Sequence, residues 1–540
     1  IGVRLVGSEM CIRDSCISYQ NSGYFTPLMV DYLNQKENLK QLYHRFPTLQ
    51  NFATQITEKQ QNFPQHNRHV LVNALQEHYK KVTPSEGTLQ NIKLLSQGTT
   101  FTVTTGHQLN LFTGPLYFLY KIVSAINLAK ELKVAYPQYS FVPVYWMATE
   151  DHDFEEINYF TFRDKKIRWN RESAGPVGRL STEGLAAVLE VFAQELGPGI
   201  NAKWLTTLFE NAYLKHENLA DATFYLANEI FKDHGLVIID ADNRELKQLF
   251  APYVKEELLQ QTSQQKVAET TALLKEYNVQ VNPRDINLFY IEDNLRERII
   301  MQDGVYYVNN TQLKFSESEI LAELENHPEK FSPNVIMRPL YQEVILPNLA
   351  YIGGGGELAY WLELKSFFDS QNVTFPMLLM RNGALLVTEK QAAKLDKLNL
   401  SWTDVFSKQQ ALLNKRVQEF SEFQLDFSAL KETLQDQFAQ LRNIATKTDS
   451  TFTGAVKAQE LKQLEGLANL EKRLLKAEKR NHRDQLERIA SLQNELFPNQ
   501  GLQERRNNFS EFYLEYDGRL LTELFTQLKP LEQEFNIIVL

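Results

Sequence analysis

Cysteine is almost absent from this 540-residue chain. Its two cysteines, Cys11 and Cys16, both lie in the opening stretch IGVRLVGSEMCIRDSC. The body of the protein therefore has no disulfide framework, no cysteine-ligated zinc site and no thiol nucleophile. We interpret residues 1–15 as a translation or assembly scar, because they have no helical or strand period and join awkwardly to the pattern that follows.

Long apolar runs and an excess of basic residues are also missing. No stretch approaches the length needed to span a bilayer and no secretory signal stands out, so we expect a cytoplasmic protein without a membrane partner. The formal net charge of −10 argues against general attraction to nucleic acid. The length and the 43% hydrophobic content predict two or three globular units.

An α/β pattern extends over residues 16–387. FTVTTGH is typical of a strand, and the segment that begins at Pro115 is typical of a helix. FVPVYWMA is typical of the next strand. Together the three segments predict a βαβ unit with parallel strands. GLVIIDAD and PMLLMRNGALLV predict further strands. We therefore predict a doubly wound sheet that carries inserted subdomains at roughly residues 158–230 and 262–330.

Long charged helices follow this core. Phenylalanine and leucine recur at spacings of three and four from Phe423 to Leu441, which is typical of a coiled coil or a long amphipathic helix. After a turn near residues 451–454 a second helix follows, so residues 388–498 predict an antiparallel arm for packing or dimerisation. Residues 499–540 are predicted to return to the core.

TTGHQLNLFTGPLY occupies the position at which open α/β sheets bind ligands, beyond the carboxyl end of a strand. Glycines allow the backbone to approach a ligand, and free N–H groups at a helix start favour phosphate or carboxylate. The alternative is a tight turn with a structural histidine. The candidate binding residues are Thr105, Gly106, His107, Gln108, Thr113, Gly114 and Lys121.

PVYWMATEDHDFEEI ends an apolar strand in a cluster of ionisable residues. Carboxylates there could hold a substrate ammonium, and a histidine between them could act as a general base. Asp151, His152 and Asp153 are the candidate catalytic residues, and Glu150 is a candidate binding residue. The spacing matches no specific zinc or calcium site, so we assign no metal ligand. An acidic helix start is the alternative.

SPNVIMRPLYQEVILPNLAYIGGGGELAYWLELK interrupts an apolar run with polar residues and then has four consecutive glycines. Ordering such a run costs backbone entropy, which makes sense where the backbone passes close to a ligand. The pattern is neither a Walker A loop nor G-x-G-x-x-G after a strand, and a flexible surface turn is the alternative. The candidate binding residues are Arg338, Gln342, Gly354, Gly355, Glu357 and Tyr360.

The chain resembles the BshC family of bacillithiol biosynthesis in six motifs: TTGHQLNLFTGPLYFLYK, PVYWMATEDHDFEEINYF, GLVIIDAD, SPNVIMRPLYQEVILP, GGGGELAYW and LFPNQGLQERRNNF. The resemblance covers essentially all of the chain after the predicted scar. It implies a Rossmann-like core related to class I aminoacyl-tRNA synthetases and nucleotidylyl transferases, connecting-peptide insertions, and a coiled-coil domain that forms a homodimer.

The resemblance also implies a ligase. Its reaction adds L-cysteine to the amine of glucosamine-malate, the last step to bacillithiol, with carboxyl activation by ATP, which Mg²⁺ could accompany. Glu357 and Tyr360 would line the far wall of the site, and Arg338 would pair with a carboxylate such as that of malate. The glycine loop would hold phosphate or carboxylate through Gly106, Thr113 and Gly114, and Asp151, His152 and Asp153 would bind an ammonium or deprotonate the attacking amine.

Two signatures of class I synthetases are missing. TGHQLNLFTGP has one histidine instead of a pair, and no lysine-rich loop lies between Pro376 and Lys390, so charge stabilisation would have to come from groups such as Lys121, Arg338 or Arg381. Two other functions therefore stay open: a nucleotidyl transferase acting on another small carboxylate, and a non-catalytic dimeric scaffold that binds a metabolite. An enzyme requires the three segments to converge on one pocket.

Overall fold

The structure is a computed structural model that describes residues 15–540. The predicted scar therefore lies outside the described residues, apart from Ser15. The chain forms two units: the first runs as far as Leu386 and resumes at Leu502–Leu540, and the second is Val387–Gly501. Across the described part of the chain, no helix is long and apolar enough to cross a membrane.

Strands and helices alternate through the first unit, and the second consists mainly of helices. The strands are β1 (Ser15–Ser18), β2 (Thr100–His107), β3 (Ser140–Met147), β4 (Tyr159–Phe162), β5 (Lys165–Arg168), β6 (Val237–Asp240), β7 (Leu288–Glu292), β8 (Leu295–Gln302), β9 (Val305–Val308), β10 (Lys314–Phe315), β11 (Phe331–Pro333), β12 (Asn348–Gly353), β13 (Met377–Met380), β14 (Gly383–Val387) and β15 (Glu534–Val539). The helices are α1 (Tyr19–Ser22), α2 (Pro27–Leu33), α3 (Leu49–Asn62), α4 (Gln65–His78), α5 (Glu86–Leu94), α6 (Tyr117–Ala135), α7 (Phe154–Ile157), α8 (Leu185–Leu196), α9 (Ile200–Tyr213), α10 (Leu219–Phe231), α11 (Arg244–Gln260), α12 (Thr262–Thr271), α13 (Glu317–Asn326), α14 (Met337–Ile345), α15 (Gly355–Leu362), α16 (Lys365–Ser370), α17 (Glu389–Lys397), α18 (Trp402–Phe406), α19 (Gln409–Phe420), α20 (Ser428–Ala445), α21 (Ser450–Asn481), α22 (Arg483–Leu496), α23 (Phe509–Tyr516) and α24 (Arg519–Gln527).

The central sheet of the first unit has five parallel strands in the order β13–β12–β2–β3–β6. β2 and β3 are buried almost throughout, and their apolar and β-branched residues suit strands that are covered on both faces. The chain winds outwards from β2 through β3 to β6 and then returns to the other side of β2 with β12. The switch point, where open α/β sheets bind ligands, therefore lies between β2 and β12. The predicted doubly wound parallel sheet is confirmed.

The segments predicted as insertions contain antiparallel strands as well as helices. β4 and β5 pair as a hairpin, and β7, β8 and β9 form a meander in a second five-stranded sheet, β10–β9–β8–β7–β11. The turn between β8 and β9 places Asp303 and Gly304 at positive φ, as a two-residue hairpin turn requires. The resulting sheet carries β7 and β8 towards the carboxyl ends of the central strands.

The second unit contains the predicted antiparallel helical pair, α20 and α21. Leu434, Phe438, Ala445 and Val456 pack between the two helices. The turn lies earlier than predicted, because Asp449 accepts a hydrogen bond from the backbone N–H of Phe452 and so starts α21 at Ser450. The first helix also starts later than its apolar pattern suggested, at Ser428.

Candidate functional site at the sheet switch point

A cavity of about 1400 Å³ lies at the carboxyl ends of the central strands. The residues that follow β2, β3, β12 and β13 line it, together with residues of the inserted sheet and of the C-terminal segment. The three segments selected from the sequence therefore converge on one cavity, as an enzyme requires. The predicted residues that line it are Gly106, His107, Gln108, Lys121, Glu150, Asp151, His152, Asp153, Arg338, Gly354, Gly355, Glu357 and Tyr360.

Glu357 is the hub of the switch point, meaning the carboxylate to which three neighbouring groups donate. Its Oε1 accepts from the Lys121 ammonium at 2.6 Å and from the backbone N–H of Gly354 at 3.0 Å, and its Oε2 accepts from the Tyr351 hydroxyl at 2.7 Å. Burial disfavours the carboxylate, but Lys121 and these hydrogen bonds hold the pKa of Glu357 below its ordinary value. Lys121 also donates to the Gly106 carbonyl at 2.7 Å. Lys121 thus ties β2 to the start of α15.

Arg338 projects from α14 to the same point. Its Nη2 donates to the Tyr360 hydroxyl at 2.6 Å. Burial disfavours the charged form, but the neighbouring tyrosine hydroxyls and Glu357 hold the pKa of Arg338 above its ordinary value. An arginine with N–H groups beyond those used here is suited to a carboxylate or phosphate in the cavity.

Two further arginines extend this cationic side. Arg381 is buried at the end of β13, donates to Glu504 at 2.6 Å and stacks over the Tyr117 ring at 5.1 Å. Arg505, next in sequence to Glu504, is exposed and lines the cavity. Arg505 and Tyr117 are missing from the predicted site, although both lie in motifs that carry the family resemblance. The spatial closeness of residues 381 and 505 could not be foreseen, because the whole second unit separates them in sequence.

His107 is a neutral, buried imidazole. Its Nδ1 lies 2.7 Å from the Gln108 carbonyl oxygen, which can only accept, so the proton is on Nδ1. Burial and the nearby Lys121 lower the pKa of His107 to about 3. His107 therefore contributes no positive charge to the cavity.

Asp151 organises the acidic side of the cavity. Its carboxylate accepts from the backbone N–H groups of His152 and Asp153, at 2.7 and 3.4 Å, and from Gln108 at 2.9 Å. Gln108 also donates to Glu156 at 2.9 Å. The carboxylates after β3 are thereby held beside the loop after β2, with Asp153 and Glu156 exposed to solvent.

Arg296 of β8 restricts the role of His152. Its Nη1 donates to the His152 Nδ1 at 2.6 Å, and its guanidinium lies over the Phe289 ring at 4.0 Å. Because a guanidinium only donates, the His152 Nδ1 must accept, and a neutral His152 carries its proton on Nε2. In this arrangement His152 offers a hydrogen-bond donor instead of the predicted general base. Nothing in the sequence singles out Arg296, an arginine in a hairpin strand.

Glu150 belongs to a buried ion network. It pairs with Lys247, which also pairs with Asp242 at 3.0 Å. Burial raises the pKa of Glu150, and it also opposes ionisation of Asp242, whose pKa Lys247 and Arg179 nevertheless hold below its ordinary value. Glu150 thus lines the cavity and also forms an ion pair within the protein, and its contact with a ligand stays a prediction.

Thr105 and Gln342 do not line the cavity, contrary to the prediction. The Thr105 hydroxyl donates to the Ile352 carbonyl at 2.7 Å inside the sheet, and Gln342 is fully buried and donates to Glu343 at 3.1 Å. Thr105 lies before the end of β2, where its hydroxyl is used by the neighbouring strand β12. Gln342 lies on a face of α14 that packs into the core.

Thr113 and Gly114 are also outside the cavity lining, and the predicted anion site at the start of α6 is filled by the protein itself. Asn508 donates to the carbonyl oxygens of Phe112 and Gly114, at 2.7 and 2.6 Å. The Leu116 N–H donates to the Asn507 carbonyl at 2.8 Å. The C-terminal segment therefore occupies the place that was predicted for phosphate.

The glycine run is an ordered helix start and not a flexible turn. Gly354 is the N-cap of α15, and Gly355 begins the helix. A Cβ atom at Gly353 would lie 2.9 Å from the Tyr351 ring and 3.0 Å from Glu357, whereas one at Gly356 would meet nothing within 4 Å. Gly353 is thus required by the hub around Glu357, and Gly356 faces open space. Within residues 15–540, no group of three His, Cys, Asp or Glu side chains is arranged to hold a metal ion.

The fold and the cavity define a Rossmann-like protein with a ligand site at the switch point, and comparison with known families narrows the class. The model "Bacillithiol biosynthesis BshC, N-terminal Rossmann-like domain" matches residues 12–382. The model "Bacillithiol biosynthesis BshC, C-terminal coiled-coil domain" matches residues 384–540. The chain belongs to the BshC family of bacillithiol biosynthesis.

Curated relatives agree with this assignment. A protein of Flavobacterium johnsoniae named "Putative cysteine ligase BshC" is 65% identical over 525 residues, which cover 97% of this chain and 99% of the relative. Proteins of the same name are 38% identical in Cytophaga hutchinsonii, over 96% of this chain and 97% of the relative, and 28% identical in Bacillus anthracis, over 92% and 96%. The predicted family, the Rossmann-like core with a coiled-coil domain, and the ligase class are confirmed. The more particular likeness to class I synthetases stays a prediction.

Proposed function

We propose that the chain is a cysteine ligase that adds L-cysteine to the amine of glucosamine-malate, with ATP activating the cysteine carboxyl. The observation that carries the proposal is the convergence of three predicted segments on one cavity with a cationic and an acidic side. The name of the curated relatives supports the reaction. The product would be bacillithiol, made in the last step of its biosynthesis.

The cationic side suits the anionic groups of the substrates. Arg338 would pair with a malate carboxylate, because its planar fork matches a carboxylate in two hydrogen bonds. Arg381 and Arg505 would face phosphate groups of ATP. The chain's own groups, and not a lysine-rich loop, would thus neutralise the charge that develops on the phosphates.

The acidic side suits the ammonium groups. The glucosamine amine must lose a proton before its lone pair can attack the activated cysteine carbonyl. Asp153, which is exposed in the cavity lining, would hold the ammonium and accept this proton. The amide bond then forms as the phosphate-bearing group leaves with the bonding electrons. Asp151 would keep the loop in place through its backbone hydrogen bonds.

The residues present also fit a nucleotide. Gly356 leaves open space at the start of α15, and the arginines lie on the same cavity. Mg²⁺ bound to ATP usually takes one or two carboxylates and keeps several waters. Glu156, which is exposed in the cavity lining, could supply such a carboxylate. ATP and Mg²⁺ are therefore part of the proposal.

Mass spectrometry of the reaction mixture tests the proposal. Protein lacking residues 1–14 is incubated with glucosamine-malate, L-cysteine and Mg-ATP, and each substrate is omitted in turn. We expect bacillithiol only in the complete mixture. An Asp151→Asn, Asp153→Asn double variant should form little product. Product at the wild-type rate from this variant would remove the carboxylates from the chemistry, and no product from folded wild-type protein would contradict the ligase and favour a metabolite-binding scaffold.

We also propose that the second unit pairs with a second copy of the chain. Its helical pair buries one apolar face internally and leaves large apolar side chains exposed, and a homodimer is the partner that the family resemblance implies. The exposed residues are Leu430, Leu441, Ile444, Phe452, Leu461 and Leu470.

A further inference from the structure

Tyr351, which donates a hydrogen bond to Glu357, also lies close to Arg338 and supports its charge. We propose that Glu357 and Tyr351 are positioning residues, which orient the Arg338 guanidinium towards an anionic group of the substrate without touching the substrate themselves. The inference deepens the proposed function and rests on it for the identity of the substrate. It also revises the predicted role of Glu357 as a direct ligand contact.

The direction of each proton follows from the chemistry of the groups. An ionised carboxylate only accepts hydrogen bonds, so the single proton of the Tyr351 hydroxyl is donated to Glu357, at 2.7 Å. The Tyr351 oxygen can then only accept from its other neighbours. Arg338, which only donates, is such a neighbour, and Tyr351 supports its charge. A glutamine at position 357 would accept from Tyr351 less strongly than the carboxylate does, and the Tyr351 proton would then be free to point elsewhere, including at Arg338.

Lys121 holds Glu357, the first member of this series of side chains, in place. Its ammonium is almost fully buried and bonds both the Glu357 carboxylate and the Gly106 carbonyl. Lys121 holds Glu357 in the ionised form, so Glu357 must accept from Tyr351. The donor and acceptor roles of the side chains from Glu357 to Arg338 are therefore determined by Lys121. Lys121 therefore acts on Arg338 through Glu357 and Tyr351.

Gly106 makes room for the contact between Tyr351 and Arg338. A Cβ atom at Gly106 would lie 3.1 Å from the Tyr351 hydroxyl and 3.8 Å from the Arg338 Nη1. Both atoms therefore lie within 4 Å of the position that a side chain at residue 106 would occupy. On its other side, Arg338 is held by Tyr360 at 2.6 Å. The guanidinium thus bonds one tyrosine hydroxyl and lies near a second, and its remaining N–H groups are available to a ligand.

Isothermal titration calorimetry tests the proposal without turnover. Glucosamine-malate alone and ATP alone are titrated into the wild type and into Tyr351→Phe, Glu357→Gln and the double variant, after circular dichroism has shown each to be folded. We expect each single variant to weaken binding of glucosamine-malate, whose malate carboxylate Arg338 would bind, by about tenfold. The double variant should be no more than about twofold weaker than the weaker single one, because both changes break the same chain.

Tyr290→Phe is the matched control. Its hydroxyl donates to Glu323 at 2.7 Å, the same kind of bond at the same distance, away from the cavity lining. It should bind both probes like the wild type. Wild-type affinity in both single variants, effects that multiply in the double variant, or no binding of either probe by the wild type would overturn the proposal. The expected binding pattern without product formation would instead contradict the ligase alone.

Discussion

Glu363 is a buried carboxylate that holds one wall of the cavity. Its oxygens accept from the backbone N–H groups of Gln280 and Val281, at 2.7 and 3.3 Å, and both of these residues line the cavity. Burial raises the pKa of Glu363 to about 7. A single carboxylate at the end of α15 thus links this helix to the segment that precedes β7.

Glu363→Gln should flatten part of the pH dependence of stability. Glu363 ordinarily titrates near 4.5 and in the folded protein near 7, so between these values the folded state binds a proton that the unfolded state has lost. The free energy of unfolding contributed by this group therefore falls as the pH rises from about 4.5 to about 7. Urea unfolding at several pH values measures the slope for both proteins. The same slope in wild type and variant would show that Glu363 does not titrate in this range.

Residues 111–114 are an element whose shape depends on a distant partner. Phe112, Thr113 and Gly114 all have positive φ, which is unfavourable for the two residues with side chains. Asn508 is fully buried and donates to carbonyl oxygens on both sides of Thr113. The C-terminal segment thereby stabilises the loop that joins β2 to α6.

Asn508→Ala should lower the free energy of unfolding by about 2 kcal/mol, because two buried carbonyl groups lose their donor. Chemical denaturation of the purified protein measures the loss. Asn170→Ala, at an exposed position, is the control and should change stability by less than about 0.5 kcal/mol. Equal stability of the two variants would mean that water or a rearranged loop replaces the Asn508 amide.

Sequence patterns were sufficient for the elements but not for the contacts between distant ones. The βαβ pattern predicted parallel strands, and parallel strands bring their carboxyl ends together, so the convergence of Gly106, Asp151 and Gly354 could be foreseen. The helix start near Pro115 was also recognisable. The sequence could not show that Asn508 occupies the anion site predicted at this helix start, because nearly 400 residues separate Asn508 from Gly114.

The orientation of side chains was equally beyond the sequence. Thr105 and Gly106 are neighbours in one motif, but only Gly106 lines the cavity, because the Thr105 hydroxyl bonds the neighbouring strand inside the sheet. His152 was predicted as a base from its acidic neighbours. Its actual partner, Arg296, comes from an inserted sheet whose approach to β3 depends on tertiary packing.

At the scale of the whole molecule, the proposed homodimer would form through the second unit. A Leu461→Glu, Leu470→Glu double variant should be monomeric in analytical ultracentrifugation at concentrations where the wild type is dimeric, because each charge would be buried without a partner in the interface. Leu89→Glu, at a comparably exposed leucine of the first unit, should leave the dimer intact. A dimeric double variant would place the interface elsewhere.

The molecule has a net charge of −10, but Arg338, Arg381 and Arg505 line its cavity. A cationic site in an acidic protein selects anionic ligands locally without general affinity for polyanions. Opposite it, carboxylates suit ammonium groups. Both kinds of group occur in the proposed substrates, which supports the claim that ligation takes place in this cavity.

Product formation by Arg338→Gln, measured by mass spectrometry beside the wild type and Arg483→Gln, tests that claim most directly. Arg483 forms a surface ion pair with Glu487 in the second unit, so its variant makes the same chemical change away from the cavity. We expect bacillithiol formation to fall between about tenfold and a hundredfold in Arg338→Gln, because a charge-assisted hydrogen bond to the substrate is lost, and to be unchanged in Arg483→Gln. Wild-type product formation by a folded Arg338→Gln variant would contradict ligation at the switch point.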